Sequence, residues 1–121
     1  MTWLLVAEDD EDLREMLADA LREHGYEVHT AGDGAEAVQM LDAAIEMPAV
    51  LLLDLLMPRL SGHEVLRAIR SVGRARHLPV VLITGLELRD SDISAFHVTD
   101  VLEKPIALER LFAAVDKARA P

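Results

Sequence analysis

Cysteine is absent, which removes disulfides and thiolate-bound metal and fits a reducing compartment. No apolar run approaches the roughly 18 residues that a membrane-spanning helix needs. The opening "MTWLLVAEDDED" has only a five-residue apolar stretch and no basic lead, so it does not read as a secretory signal. Basic charge is scarce: 12 Lys and Arg against 22 Asp and Glu leave a net charge of −10. Such a surface repels nucleic acid and anionic membranes. The densest basic group, Arg67, Arg70, Arg74 and Arg76, reads as a solvated helix face. The histidines at 24, 29, 63, 77 and 97 lack ligand spacing and read as surface residues. Repeats and linkers are missing too. The expectation is one cytoplasmic domain spanning residues 1–121, long enough to bury about two thirds of its unfolded surface, with neither nucleic acid nor membrane as partner.

What is present is an alternation. Short apolar runs, Trp3–Ala7, Tyr26–Ala31, Ala49–Leu53, Val80–Thr84 and Val101–Glu103, are separated by segments of helical period. The inward faces read as Leu13, Met16, Leu17, Ala20 and Leu21, ending at Gly25; then Ala37, Val38, Leu41 and Ile45; then Val65, Leu66 and Ile69 behind a Ser61 N-cap; and last Leu108, Leu111, Phe112 and Val115. Repeated β-α units predict an α/β fold, a doubly wound parallel sheet of five strands with helices on both faces. Three runs are continuously apolar and belong in the middle. Tyr26–Ala31 carries Glu27 and His29, and Val101–Glu103 is very short, so these two belong at the edges. Right-handed crossovers then favour the order 2-1-3-4-5, with a ligand crevice beyond the strand ends where the chain reverses between strands 1 and 3.

That crevice collects chemistry. Glu8, Asp9 and Asp10 follow strand 1, Asp54 follows strand 3, Thr84 closes strand 4, and Lys104 and Pro105 follow strand 5. Several carboxylates at one lip either share a proton or bind a cation. An all-oxygen donor set suits Mg2+ held by one or two carboxylates plus waters, leaving positions for phosphate oxygens. Lys104 and Thr84 add a point charge and a hydroxyl suited to the outer oxygens of a phosphoryl group. Asp54 is therefore the candidate carboxylate nucleophile, taking a phosphoryl group to form an aspartyl phosphate.

The stretches "EDD", "LLLDLLMPRLSG", "VVLITG" and "EKP" resemble the response-regulator receiver domain of two-component signalling, over essentially the whole chain. The pattern D-x-x-M-P-x-x-x-G falls on Asp54, Met57, Pro58 and Gly62. The resemblance implies a flavodoxin-like (βα)5 three-layer sandwich and phosphorylation at Asp54. It implies Mg2+ (or Mn2+) held by Glu8, Asp9, Asp54 and the backbone carbonyl of Leu56, with Thr84 as switch hydroxyl and Lys104 as phosphate contact. The Lys104–Pro105 bond is expected to be cis. A histidine kinase or histidine phosphotransfer protein would be the donor, and a downstream protein would bind the face formed by the fourth helix, strand 5 and the last helix. Such a domain catalyses its own phosphorylation and dephosphorylation without being a turnover enzyme.

Departures matter. Val101 stands where the family usually has an aromatic switch residue, and its stiff χ1 offers no ring to swing. Between Thr84 and Lys104 helical spacing is poor, with Ile93, Phe96 and His97 the best apolar face, so a short or distorted helix is expected there. Leu56 and Leu86 occupy positions where polar groups often orient the hydrolytic water, and leucine cannot hydrogen-bond it. A long-lived phosphorylated state is the expectation. Two competing readings remain: a receiver fold that binds partners without being phosphorylated, and a dinucleotide site. "GDGAEA", with Gly32 and Gly34, fits G-x-G-x-x-A after a strand, and Asp54 follows about 20 residues on. Against the latter, the preceding strand is an edge strand and Asp33 would face a pyrophosphate.

Overall fold

Strands and helices alternate along the chain: β1 (Trp3–Ala7), α1 (Glu11–Glu23), β2 (Glu27–Ala31), α2 (Gly34–Ala43), β3 (Val50–Asp54), α3 (Gly62–Ser71), β4 (Val80–Thr84), β5 (Asp100–Glu103) and α4 (Leu108–Arg119). The structure, a computed structural model, describes residues 2–57, 59–71, 73–85 and 97–120. Every strand pair is parallel, and the order is β2-β1-β3-β4-β5. The expected edges and centre are therefore found. The expected helix between β4 and β5, with Ile93 and Phe96, lies outside the described residues.

Alternation of side chains along each strand divides the core in two. Leu4, Val6, Leu52, Val81 and Ile83 meet Leu17, Leu21, Leu111 and Val115 of α1 and α4. Leu5, Leu51, Leu53, Val80 and Leu82 meet Ala37, Leu41, Val65, Leu66 and Ile69 of α2 and α3. The central strands are apolar up to their carboxyl ends, where β3 closes with Asp54 and β4 with Thr84, because both faces are covered. Helices α1, α2 and α3 start where short polar side chains satisfy orphan backbone donors, whereas α4 starts after Ala107 without a side-chain cap. Asp10 Oδ1 accepts from Leu13 N–H at 3.1 Å, and Asp33 Oδ1 accepts from Glu36 N–H at 2.8 Å. Ser61 and Glu64 form a reciprocal capping box at α3. Replacing Asp10 by Ala should cost about 1 kcal/mol in denaturant unfolding; an unchanged midpoint would show that the cap contributes nothing.

Several expected inward positions turn out otherwise. Met16 and Leu108 are exposed, each at the edge of its helix's apolar stripe. Helix α2 ends at Ala43, so Ile45 falls in the following loop and is 96% exposed. Nor is the basic group simply a solvated face. Arg74 donates to the carbonyls of Ala44 and Ile45, and Arg70 donates to those of Arg76 and Leu78. These guanidiniums satisfy backbone oxygens that helix and turn ends would leave open. All five histidines are exposed. Trp3 lies partly buried at the end of the sheet away from the crevice, its Nε1 donating to the Glu46 carbonyl at 3.0 Å.

Candidate functional site

The carboxyl ends of β1, β3, β4 and β5 bring the site together. Asp54 is the last residue of β3 rather than the first beyond it, and pairs with Ile83 of β4. It is only 2% exposed, so the lip of a central strand is itself buried. Glu8, just past β1, is fully buried, and Thr84, ending β4, is buried as well. Lys104 follows β5 and is placed by its backbone N–H, which donates to the Thr84 carbonyl at 2.9 Å. From there its Nζ donates to Asp54 Oδ2 at 3.1 Å and lies 2.9 Å from Glu8 Oε1.

Each carboxylate is held from several sides. Asp54 Oδ1 accepts from the Leu56 backbone N–H at 3.1 Å. Glu8 Oε2 accepts from the Asp10 N–H at 3.2 Å. Glu8 Oε1, although paired in charge with Lys104, has no aligned hydrogen-bond donor among the described residues. Burial, then the neighbouring Asp54 carboxyl, push the Glu8 carboxyl up to about 7, against the opposing pull of Lys104. Burial alone would lower the Lys104 ammonium, but its contacts with Glu8 and Asp54 outweigh that and hold it above its usual range.

Glu8, Asp9 and Asp54 each offer a carboxylate oxygen, all within 4.8 Å of one another. Among the described residues, three acidic side chains, two of them buried, meet the one Lys104 ammonium, which leaves the site acidic. A buried oxygen without a donor adds an unsatisfied acceptor. Both features fit a divalent cation with oxygen ligands.

Comparison with known proteins agrees with this arrangement. The sequence model described as the response regulator receiver domain matches residues 4–116. The chain belongs to that family. Response regulator MprA of Mycobacterium ulcerans is 40% identical over 112 residues, which is 91% of this chain and 47% of that protein. MprA of Mycobacterium leprae is 39% identical over 114 residues, 93% of this chain and 48% of that protein. The chain thus spans about half the length of the curated relatives it matches. Among solved structures, chemotaxis protein CheY4 of Vibrio cholerae superposes with a TM-score of 0.88 at 28% identity, covering 98% of each chain. Response regulator TrrA of Thermotoga maritima, in complex with Mg2+–BeF, has a TM-score of 0.85 at 30% identity, covering 98% of this chain and 99% of that one. The flavodoxin-like fold of a response-regulator receiver domain of two-component signalling is that of this chain.

Within this receiver domain the residues singled out from the sequence fall as follows. Glu8, Asp9 and Asp54 cluster, with Lys104 on two of them. Thr84 sits one residue beyond the partner of Asp54. Leu56 is 57% exposed at the mouth of the site. The Lys104–Pro105 peptide is cis. Val101 is half-buried in β5, with its N–H on Asp100 Oδ1 at 2.8 Å. Pro58 and Leu86 lie outside the described residues. Glycines Gly34 and Gly62 serve close packing. A Cβ on Gly34 would overlap the Leu60 carbonyl oxygen, and one on Gly62 would stand 2.6 Å from that of Asp54. Gly34 of the G-x-G-x-x-A pattern is thereby accounted for without a dinucleotide. Arg14, unsignalled in the sequence except by its place one turn after the N-cap Asp10, donates from Nη1 to the Glu8 carbonyl at 3.1 Å.

Proposed function

We propose that Asp54 accepts a phosphoryl group from a histidine-phosphorylated protein, a kinase or a phosphotransfer protein, and that the product state is read by another protein. A single observation carries this reading: side chains from three strand ends meet, with Lys104 Nζ 3.1 Å from Asp54 and 2.9 Å from Glu8. The Mg2+–BeF complex of the Thermotoga relative supports it. Glu8, Asp9, Asp54 and the Leu56 carbonyl would hold Mg2+ or Mn2+. The ion supplies charge neutralisation at the phosphoryl oxygens.

The residues divide the remaining work. A carboxylate oxygen of Asp54 attacks phosphorus, the bond from phosphorus to the donor's ring nitrogen breaks, and that nitrogen takes a proton. Lys104 moves its ammonium from the carboxylate to the new phosphoryl oxygens, and the Thr84 hydroxyl donates to them. The modification adds a charge of about −1.5 to −2, which draws on β4 and β5 through Thr84 and Lys104 and biases a two-state balance. Output would run through the face of β5, α4 and the β4–β5 connection by backbone and helix shifts, since Val101 has no ring to turn. A cytoplasmic setting follows from a histidine-phosphorylated donor.

Incubation with Mg2+ and a small acyl-phosphate donor should add the mass of one phosphoryl group, and chelation of the metal should prevent it. A protein that never gains that mass under these conditions would be an interaction module only. Leu56 projects from the mouth without a polar group, so the acyl phosphate should persist. Leu56→Asn, able to hold the attacking water, should shorten its lifetime by about five- to tenfold. An unchanged decay rate would remove Leu56 from that role.

A further inference from the structure

The loop between β2 and α2, Gly32 and Asp33, together with Gly34 at the start of α2, touches both halves of the site without contributing a ligand. On one side the Arg14 guanidinium lies against Gly32, where a Cβ would stand 3.2 Å from Nη1. The same Nη1 donates to the Glu8 carbonyl. That carbonyl belongs to the peptide plane that carries the Asp9 nitrogen. Holding its oxygen therefore sets the direction in which the chain delivers Asp9, an exposed residue with no strand to fix it. On the other side Asp33 Oδ2 pairs with Arg59 at 3.4 Å, and Gly34 seats against the Leu60 carbonyl, so the loop also braces the segment that follows Asp54.

From this geometry we infer that Arg14, seated over Gly32, is a positioning residue that holds Glu8 and Asp9 in the pose that binds the divalent ion. This role rests on the metal reading above. It also gives the first glycine of the G-x-G-x-x-A pattern a purpose, since a residue without a side chain leaves room for a flat guanidinium. The Arg14 side chain is largely shielded, at 18% exposed, as a tether with a fixed seat requires. Arg14 itself touches neither the ion nor the phosphoryl group.

Calorimetric titration of the full chain with MgCl2 tests it on the parent, Arg14→Ala, Arg14→Lys and Gly32→Ala, each checked for cooperative melting. Arg14→Ala should weaken Mg2+ binding by about ten- to a hundredfold, the usual effect of losing a residue that orients a ligand. Arg14→Lys, which keeps a donor for the Glu8 carbonyl, should recover part of that loss. Gly32→Ala keeps every polar group but crowds the guanidinium, and should weaken binding by about threefold or more. Saturating Mg2+ should restore the rate of Asp54 modification in Arg14→Ala, an outcome that general damage to the fold would not give. Should Arg14→Ala not fold, the other two variants decide by the same measure. Mg2+ affinities within about twofold of the parent would overturn the positioning role alone. A parent that shows no heat of Mg2+ binding would remove the metal reading and this inference together.

Discussion

Asp54→Asn should take up no phosphoryl group and yet, without metal at about pH 8, be more stable than the parent. The loss of uptake follows from chemistry: a carboxamide is not a nucleophile toward phosphorus. The gain in stability follows from linkage. Glu8 stands at about 7 in the fold against an ordinary value of 4.5. The folded state thus holds this proton more tightly than the unfolded chain. Its contribution is complete below about pH 4.5 and is lost as pH rises through about 7, on the order of 3 kcal/mol. Burial is the largest cause of that shift and persists in the variant. The share due to Asp54 disappears, because an amide can donate to the Glu8 carboxylate instead of competing with it. The substituted asparagine keeps the shape and leaves Lys104 paired with Glu8, so the variant should gain about 1 kcal/mol at high pH and flatten the pH profile. In the parent, Mg2+ at about 100 times its Kd should add about 2.7 kcal/mol at that pH, and little of this should remain in the variant. Urea unfolding at several pH values, with and without Mg2+, checks the signs; a variant that loses stability at high pH would contradict this electrostatic account.

Gly34→Ala should destabilise the domain by about 3 kcal/mol or more, lowering Tm by on the order of 10 °C. At this helix start alanine would normally be the better helix former. The added Cβ would, however, overlap the Leu60 oxygen and lie 2.9 Å from Val65 Cγ2, and a backbone carbonyl cannot move aside as a side-chain tip can. Helix α2 would have to retreat from the loop after β3, opening the core between α2 and α3. Gly85→Ala is the control: among the described residues, and apart from its chain neighbours, no atom lies within 4 Å of its Cβ position, so its stability should change by no more than about 0.5 kcal/mol. Equal melting of Gly34→Ala and the parent would mean that the close approach is not a constraint in solution.

The layering was legible because period and composition act over many residues at once. Continuous leucine and valine in β1, β3 and β4 marks strands covered on both faces, and mixed composition marks β2 as an edge. Acids, a hydroxyl and an amine at strand ends marked the crevice. Individual exposures were less legible. Ile45 continues the helical spacing of α2, yet the chain leaves the helix at Ala43 and Arg74, from a distant turn, holds the carbonyls there. Arg70 and Arg74 look like surface charge in one dimension because their acceptors are backbone oxygens, which no sequence pattern displays.

Local chemistry along the chain thus determined which segments become strands and helices, their order across the sheet, and which residue types gather where it reverses; patterning and handedness suffice for that. Only the folded chain decided that Asp54 and Glu8 are buried beside the Lys104 ammonium, that burial and Asp54 push the Glu8 carboxyl up to about 7, and that Arg14 meets the Glu8 carbonyl and Gly32 while Gly34 packs on Leu60. Distance and burial set those outcomes: electrostatic coupling and van der Waals exclusion act between residues tens of positions apart, over a few ångströms that the sequence does not record.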